Sequence, residues 1–322
     1  MFHSSTYHIN IIGLGTLGVQ LTNMIQAQTT SLGLSYQSRL KPIVLDTHKN
    51  SLQQSKIKDQ LYLEAIPKVI LNTLTQPTDK LSLGTKKYLE RSLKESMITL
   101  LIIDLESSAS IYADAIAQFA SEQSQLCLTF GLSADDLDFD GNMTSSPNKL
   151  ANLVPHVHTL FDLKLALPTF TVNQQDAIEK TKDLEGVLDI ITSSIELFTS
   201  ENPSFIDINF ADIKTMLHVK NNPLAIASHA KAQGPNRAKE CAEKVLAKIP
   251  KHCNLTQAQK ILIQCEGPNS LTLDEVTEAV FYITDLFANE PIVIIGINSN
   301  HTNDLSDEKM MLTIFASDLK TI

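Results

Sequence analysis

The sequence has no tryptophan, only four cysteines and 11 glycines among 322 residues, and no run of Lys or Arg longer than two. Cys127, Cys241, Cys253 and Cys265 lie far apart and lack the Cys-x-x-Cys spacing of a zinc or redox motif, so they read as reduced thiols in or near cores. A formal net charge of -10 without a basic run excludes the broad positive surface that nucleic-acid binding requires. Apolar runs such as Leu100 to Ile103, or Ile292 to Ile297 with its break at Gly296, fall well short of the roughly 20 residues that cross a bilayer. The opening MFHSSTYHIN has neither the basic nor the apolar region of a secretory signal, and a cytoplasmic protein is expected. His156 and His158 in PHVHTL would share one face of a strand, but no third ligand suggests itself and no metal is expected.

With 43% apolar and 19% charged residues, the chain is composed like a folded protein long enough for two domains. HINIIGL, KPIVLDT, Thr99 to Leu105 and QLCLTFGL read as buried strands, with helix-like stretches after the first and third. This alternation predicts an α/β, Rossmann-like parallel sheet. Between Gln174 and Thr199, Ile178, Leu184, Val187, Leu188, Ile191, Ile195 and Phe198 follow helical spacing and predict one long helix. A second amphipathic helix carries Ala238, Cys241, Ala242, Val245, Leu246 and Ile249. A third runs from about Asp274 to Ala288, opened by the capping box Thr272 to Glu275. Strands are expected at Lys260 to Cys265, Pro291 to Ile297 and Met310 to Ala316, fitting a smaller mixed sheet.

GLGTLG, Gly13 to Gly18, follows a strand and opens a helix, as a phosphate-binding turn does. Alone it would also suit a NAD-dependent oxidoreductase with Asp46 on the ribose. Asp46, however, lies 28 residues past Gly18, where the dinucleotide fingerprint expects about 20, and no acid/base constellation accompanies it in the second half. The junction after the third strand, Asp104-Leu-Glu-Ser-Ser-Ala-Ser, occupies another position where phosphates bind, yet it has no glycine and carries two acids.

The segments FIDINFADIKTML, AKAQGPNRAKECAEKVL, GPNSLTLDEV and IVIIGINSN, in that order after the long helix, resemble the C-terminal half of FtsZ, the bacterial tubulin homologue. GLGTLGVQLTNMI is similar to that family's first phosphate loop, IVLDTHKNSL to its second and HVHTL to its HVDTL, so the resemblance spans about residues 8 to 318. It implies a tubulin/FtsZ fold: a GTPase-type domain at 1–173, a central helix at 174–200 and a C-terminal activation domain with a mixed sheet at 201–322. It also implies head-to-tail protofilaments in which the loop after the central helix reaches the neighbour's GTP site.

The departures fall where the nucleotide chemistry lies. The family's GGGTGTG is matched by Glu106, Ser107, Ser108, Ala109, Ser110, Ile111 and Tyr112, with all five glycines replaced. In the first loop Gly13, Gly15 and Gly18 remain, Thr16, Leu17 and Val19 replace glycines, and Gln20 replaces the usual Asn. The family's Asn-x-Asp-x-x-Asp becomes Asp207-x-Asn209-x-x-Asp212, keeping only the last acid. In isolation this trio reads as an acid-rich helix start with an amide cap. The resemblance makes it a remnant of the catalytic loop, and Asp183 or Glu185 the match to the guanine-contacting acid. Gly234 and Arg237 read as a turn and a solvated or capping residue.

The expected protein is an FtsZ-like pseudo-GTPase with no bound cofactor, assembling with itself or with a competent FtsZ. Two other readings stay open: an active but unusual GTPase holding GTP or GDP at Gly13 to Gly18, and a pseudoenzyme binding another small ligand. The last strand ends six residues before Ile322, so the tail peptide by which FtsZ reaches membrane anchors, and hence direct membrane anchoring, are not expected.

Overall fold

The computed structural model describes residues 8–31, 37–71, 73–94, 96–134, 146–165, 174–199, 208–219, 222–249, 254–287, 290–299 and 308–319. Two compact units divide the chain, Met1–Leu188 and Asp189–Ile322. In the first unit the order is β1 Ile9–Leu14, α1 Gly15–Ser31, β2 Leu40–Asp46, α2 Lys49–Gln54, β3 Asp59–Tyr62, α3 Lys68–Leu71, α4 Leu83–Leu93, β4 Ile98–Asp104, α5 Ala113–Gln123, β5 Leu126–Ala134, α6 Ser146–Leu153 and β6 Thr159–Leu165, followed by the start of α7, Gln174–Thr199.

Its sheet runs β3-β2-β1-β4-β5-β6, every pairing parallel. Every residue of β1 (INIIGL) and of β4 (ITLLIID) is buried. A parallel sheet has helices on both faces, so its central strands read as unbroken apolar runs rather than alternating ones. α1 packs on β1, β2 and β4, and α5 on β4 and β5. Phe130 and Phe161, in register on β5 and β6, stack with ring centroids 5.1 Å apart. The registers bring the C-terminal ends of β1, β2 and β4 together, so Gly15, Asp46 and Asp104 converge where open α/β sheets bind ligands.

The second unit takes the rest of α7, then α8 Phe210–Leu217, β7 Leu224–Gln233, α9 Arg237–Ala247, β8 Ala258–Gly267, α10 Leu273–Thr284, β9 Ile292–Ser299 and β10 Lys309–Leu319. Its mixed sheet is ordered β7-β10-β8-β9. β10 lies antiparallel to β7 and β8, and β8 parallel to β9. One face buries Ala230, Ala232, Ile263, Cys265, Leu312 and Ile314 against Cys241 and Val245 of α9 and Val276, Ala279 and Ile283 of α10. Both predicted features of α10 are present, since Thr272 accepts from Glu275 N while the Glu275 side chain returns to Thr272 N. His156 and His158 do not share a strand: His156 closes a 3-10 turn and His158 precedes β6. Among the described residues no helix is long and apolar enough to cross a membrane.

Candidate functional site: the filled phosphate loops

The glycine turn between β1 and α1 forms, and packing requires its glycines. A Cβ on Gly13 would stand 2.4 Å from the Gly18 carbonyl oxygen, and one on Gly18 would stand 2.6 Å from the Ile102 carbonyl oxygen, so these two let α1 start directly against β1 and β4. Gly15 has φ +77, a conformation that L side chains rarely adopt. The space a Cβ would need there is taken: Ser107 Cβ would lie 2.7 Å away and Asp104 Cβ 2.9 Å away. The first loop and the turn after β4 are therefore in direct contact, with no gap of phosphate size between Gly15 and Ser107.

Asp104, the last residue of β4 and 5% exposed, projects its carboxylate to the α1 N-terminus. Its Oδ2 accepts from the Leu17 amide at 3.0 Å, and its Oδ1 accepts from the amides of Glu106 at 3.1 Å and Ser107 at 3.2 Å. Burial pushes its pKa up, while the three amides oppose that shift. The next amides are also satisfied within the turn. Ala109 N donates to Ser107 Oγ at 3.1 Å and Ser110 N to the Ser107 carbonyl at 3.0 Å, so Ser107 caps a 3-10 turn over Ser108–Tyr112. Ala109 and Ser110 are buried, Glu106 and Ser108 exposed. Positive φ is absent from this turn: lacking glycines, it folds as a capped 3-10 segment instead of straining into left-handed backbone.

Helix N-terminal amides and glycine-turn amides are what a phosphate uses in such folds, and here Asp104 takes the Leu17 amide at the start of α1 together with two amides of the turn after β4. A hydrogen bond to a charged group contributes about 1.5–3 kcal/mol, so three together are worth roughly 5–9. Micromolar affinity corresponds to about 8 kcal/mol. Repulsion between Asp104 and a phosphate charge 5 Å away would add about 3 kcal/mol at an effective dielectric of 20. The residues present do not fit a nucleotide phosphate. The sequence shows two acids in this turn, Asp104 and Glu106. Asp104, read there only as the start of the turn, instead fills the cradle, and an acid ending an otherwise apolar strand was its signal.

Asp46 is fully buried. Its Oδ2 accepts from Thr16 Oγ1 at 3.3 Å and its Oδ1 from His48 N at 3.1 Å, which ties the first loop to the second. Thr47 Oγ1 and Ser108 Oγ, 2.7 Å apart, tie the second loop to the turn after β4. Gln20 is exposed one turn into α1. Gly13, Gly15, Thr16, Gly18, Asp46 and residues 106–110 thus come together, linked to one another.

Asn209 caps α8, its Oδ1 accepting from Asp212 N at 2.9 Å, with Asp212 in the first helical turn. Asp207 lies outside the described residues, as does the Asp183 side chain, and Glu185 is exposed. Arg237 is not solvated. With its side chain 6% exposed it forms a forked pair with Glu275, Nε to Oε1 at 2.7 Å and Nη2 to Oε2 at 3.1 Å, and also donates to the Glu308 carbonyl. Gly234 makes the turn before it at φ +97. Among the histidines, His158 Nδ1 accepts from Cys127 N at 3.0 Å.

No protein-family model matches this sequence. Solved structures do match. The chain is similar to FtsZ of M. jannaschii, solved as an empty dimer (TM-score 0.74, 18% identity, 97% of this chain and 88% of that chain covered). It is similar to CetZ from Methanosaeta thermophila (TM-score 0.74, 14% identity, 98% and 87% covered). It is also similar to CetZ2 from Haloferax volcanii, solved as a GTPγS-bound protofilament (TM-score 0.69, 11% identity, 97% and 94% covered). The chain has the α/β fold shared by these tubulin-superfamily proteins.

Proposed function

We propose that this is a divergent FtsZ-like cytoskeletal protein, a pseudo-GTPase that acts by assembling with itself head to tail or with a competent FtsZ. In this reading residues 1–173 are a degenerate nucleotide-type domain, 174–200 the central helix and 201–322 an activation-type domain. The observation that carries it is the Asp104 carboxylate on the amides of Leu17, Glu106 and Ser107. Nucleotide occupancy supplies the test. With no tryptophan and six tyrosines, partial occupancy by GDP would raise the 260 to 280 nm absorbance ratio visibly. The expected result is no guanine nucleotide released on denaturation and no saturable binding of a fluorescent GTP analogue. Stoichiometric GDP in the denatured supernatant overturns the reading in favour of an active GTPase.

A further inference from the structure

Charge is segregated along this chain. Residues 39–95 carry eleven Lys or Arg against six acids, whereas residues 261–308 carry nine acids and no Lys or Arg. In the first unit, cations gather at the outer strand of the sheet, β3. Lys56 and Lys58, in the link from α2 to β3, are exposed and form no ion pair among the described residues. Lys49 of α2 lies 4.8 Å over the ring of Tyr62, itself exposed. Between Lys49 and Tyr62 the one acid is Asp59. The next element, α3, exposes Val69 and Ile70.

In the second unit the outer strand is β9. Sheets are commonly blunted at such strands by shortness, charge or proline, as β3 is, with four residues opening on Asp59. β9 is not: IVIIGINS has eight residues, no charge and no proline, and Ile292 is 58% exposed. α10, whose Ile283 lies in one core with Ile297 of β9, turns Leu273, Thr277 and Phe281 outward at four-residue spacing, Phe281 67% exposed. Asp274, Glu278 and Asp285 beside this row, and Glu290 before β9, are exposed and form no ion pair among the described residues. Asp285 caps the C-terminus of α10, where the helix dipole disfavours an acid. Helix stability does not account for its charge.

We propose that α10 and the β9 edge of one copy dock against the lysine-bearing β3 edge of a second copy. A chain of net charge -10 repels its own copies, and the β3 edge reverses that charge locally. A second copy therefore brings to α10 the cations its acids lack, together with Tyr62, Val69 and Ile70 to cover Leu273, Phe281 and Ile292. Charge sets the approach and register of such a contact, and the apolar groups supply its core. Because the two surfaces differ, the contact is heterologous: each end copy keeps one surface free, so copies add in series instead of stopping at a pair. The inference rests on the self-assembly in the proposed function and assigns its surfaces.

Sedimentation velocity of the full chain tests it. Screening shortens the reach of charge from about 10 Å at 0.1 M salt to about 3 Å at 1 M, so association should weaken about tenfold or more between 50 mM and 1 M NaCl. Lys56→Glu with Lys58→Glu, and separately Glu278→Lys with Asp285→Lys, should each sediment as a monomer. An equimolar mixture of the two should associate again, because each supplies the charge that the other's altered surface needs. The four positions are exposed, so folding should persist, and far-UV circular dichroism checks that. Association indifferent to salt, or undiminished in either variant, or not recovered on mixing, overturns these surfaces while self-assembly stands. A parent chain that stays monomeric at 50 mM NaCl overturns both together.

Discussion

At the scale of the residue, two positions decide the character of the loops after β1 and β4. Asp104→Ala would leave the amides of Leu17, Glu106 and Ser107 without their acceptor. A loss of at least about 2 kcal/mol is expected in urea unfolding, and a smaller one for Asp104→Asn, which keeps one acceptor oxygen. Gly15 and Gly234 both have positive φ, but a Cβ meets Ser107 and Asp104 at the first and open space at the second. Gly234→Ala should therefore cost only the conformational term, about 1–2 kcal/mol, and Gly15→Ala clearly more, a ranking that thermal melts of the two variants can check. The glycine spacing of GLGTLG was legible because turn, strand and helix all constrain it locally. The role of Asp104 was not, since its partner Leu17 is 87 residues away in sequence.

At the scale of the element, what could be read was periodicity. The helix at Gln174–Thr199 and the Thr272 to Glu275 capping box emerged as expected because each depends on residues three or four apart. β7 was not foreseen. Its LAIASHAKAQ is rich in alanine, a weak strand former, and His229 and Lys231 stand where a strand facing an apolar core would have apolar residues. Asp189 of α7 lies against both, 2.9 Å from Lys231 Nζ and 3.8 Å from His229 Nε2. Arg237 was misjudged for a related reason, its partners Ser270, Glu275 and Glu308 all being remote. Arg237→Ala would strand Glu275 at the start of α10, and a loss of about 3 kcal/mol is expected by chemical denaturation. The Arg237 hydrogen bond holds the Glu275 pKa down to about 2 from 4.5. The pair's contribution is therefore present above pH 4.5 and fades as pH falls toward 2. The loss should be no more than about 2 kcal/mol after solvent screening, and Glu275→Gln should flatten that part of the acid unfolding profile.

At the scale of the whole molecule, the parallel sheet, long helix and mixed sheet could be inferred from the order of apolar segments, because tertiary layers follow the sequence of elements. The closure of the loops after β1 and β4 could not, because it depends on which acceptor reaches a given amide. Under the proposed function, any filaments should form to the same extent with GTP, with GDP and with neither, as seen by sedimentation and negative-stain electron microscopy. Assembly that appears only with GTP would contradict it. The Asp104 contact has a further consequence. A carboxylate held by the chain against its own amides is an intramolecular competitor, with an effective concentration fixed by geometry. It is not diluted, exported or exchanged, so under the proposed function a metabolite would have to outcompete that effective concentration to change its occupancy. If such a protein is to cycle between assembled and dispersed states, the timing has to come from a partner or from its own concentration.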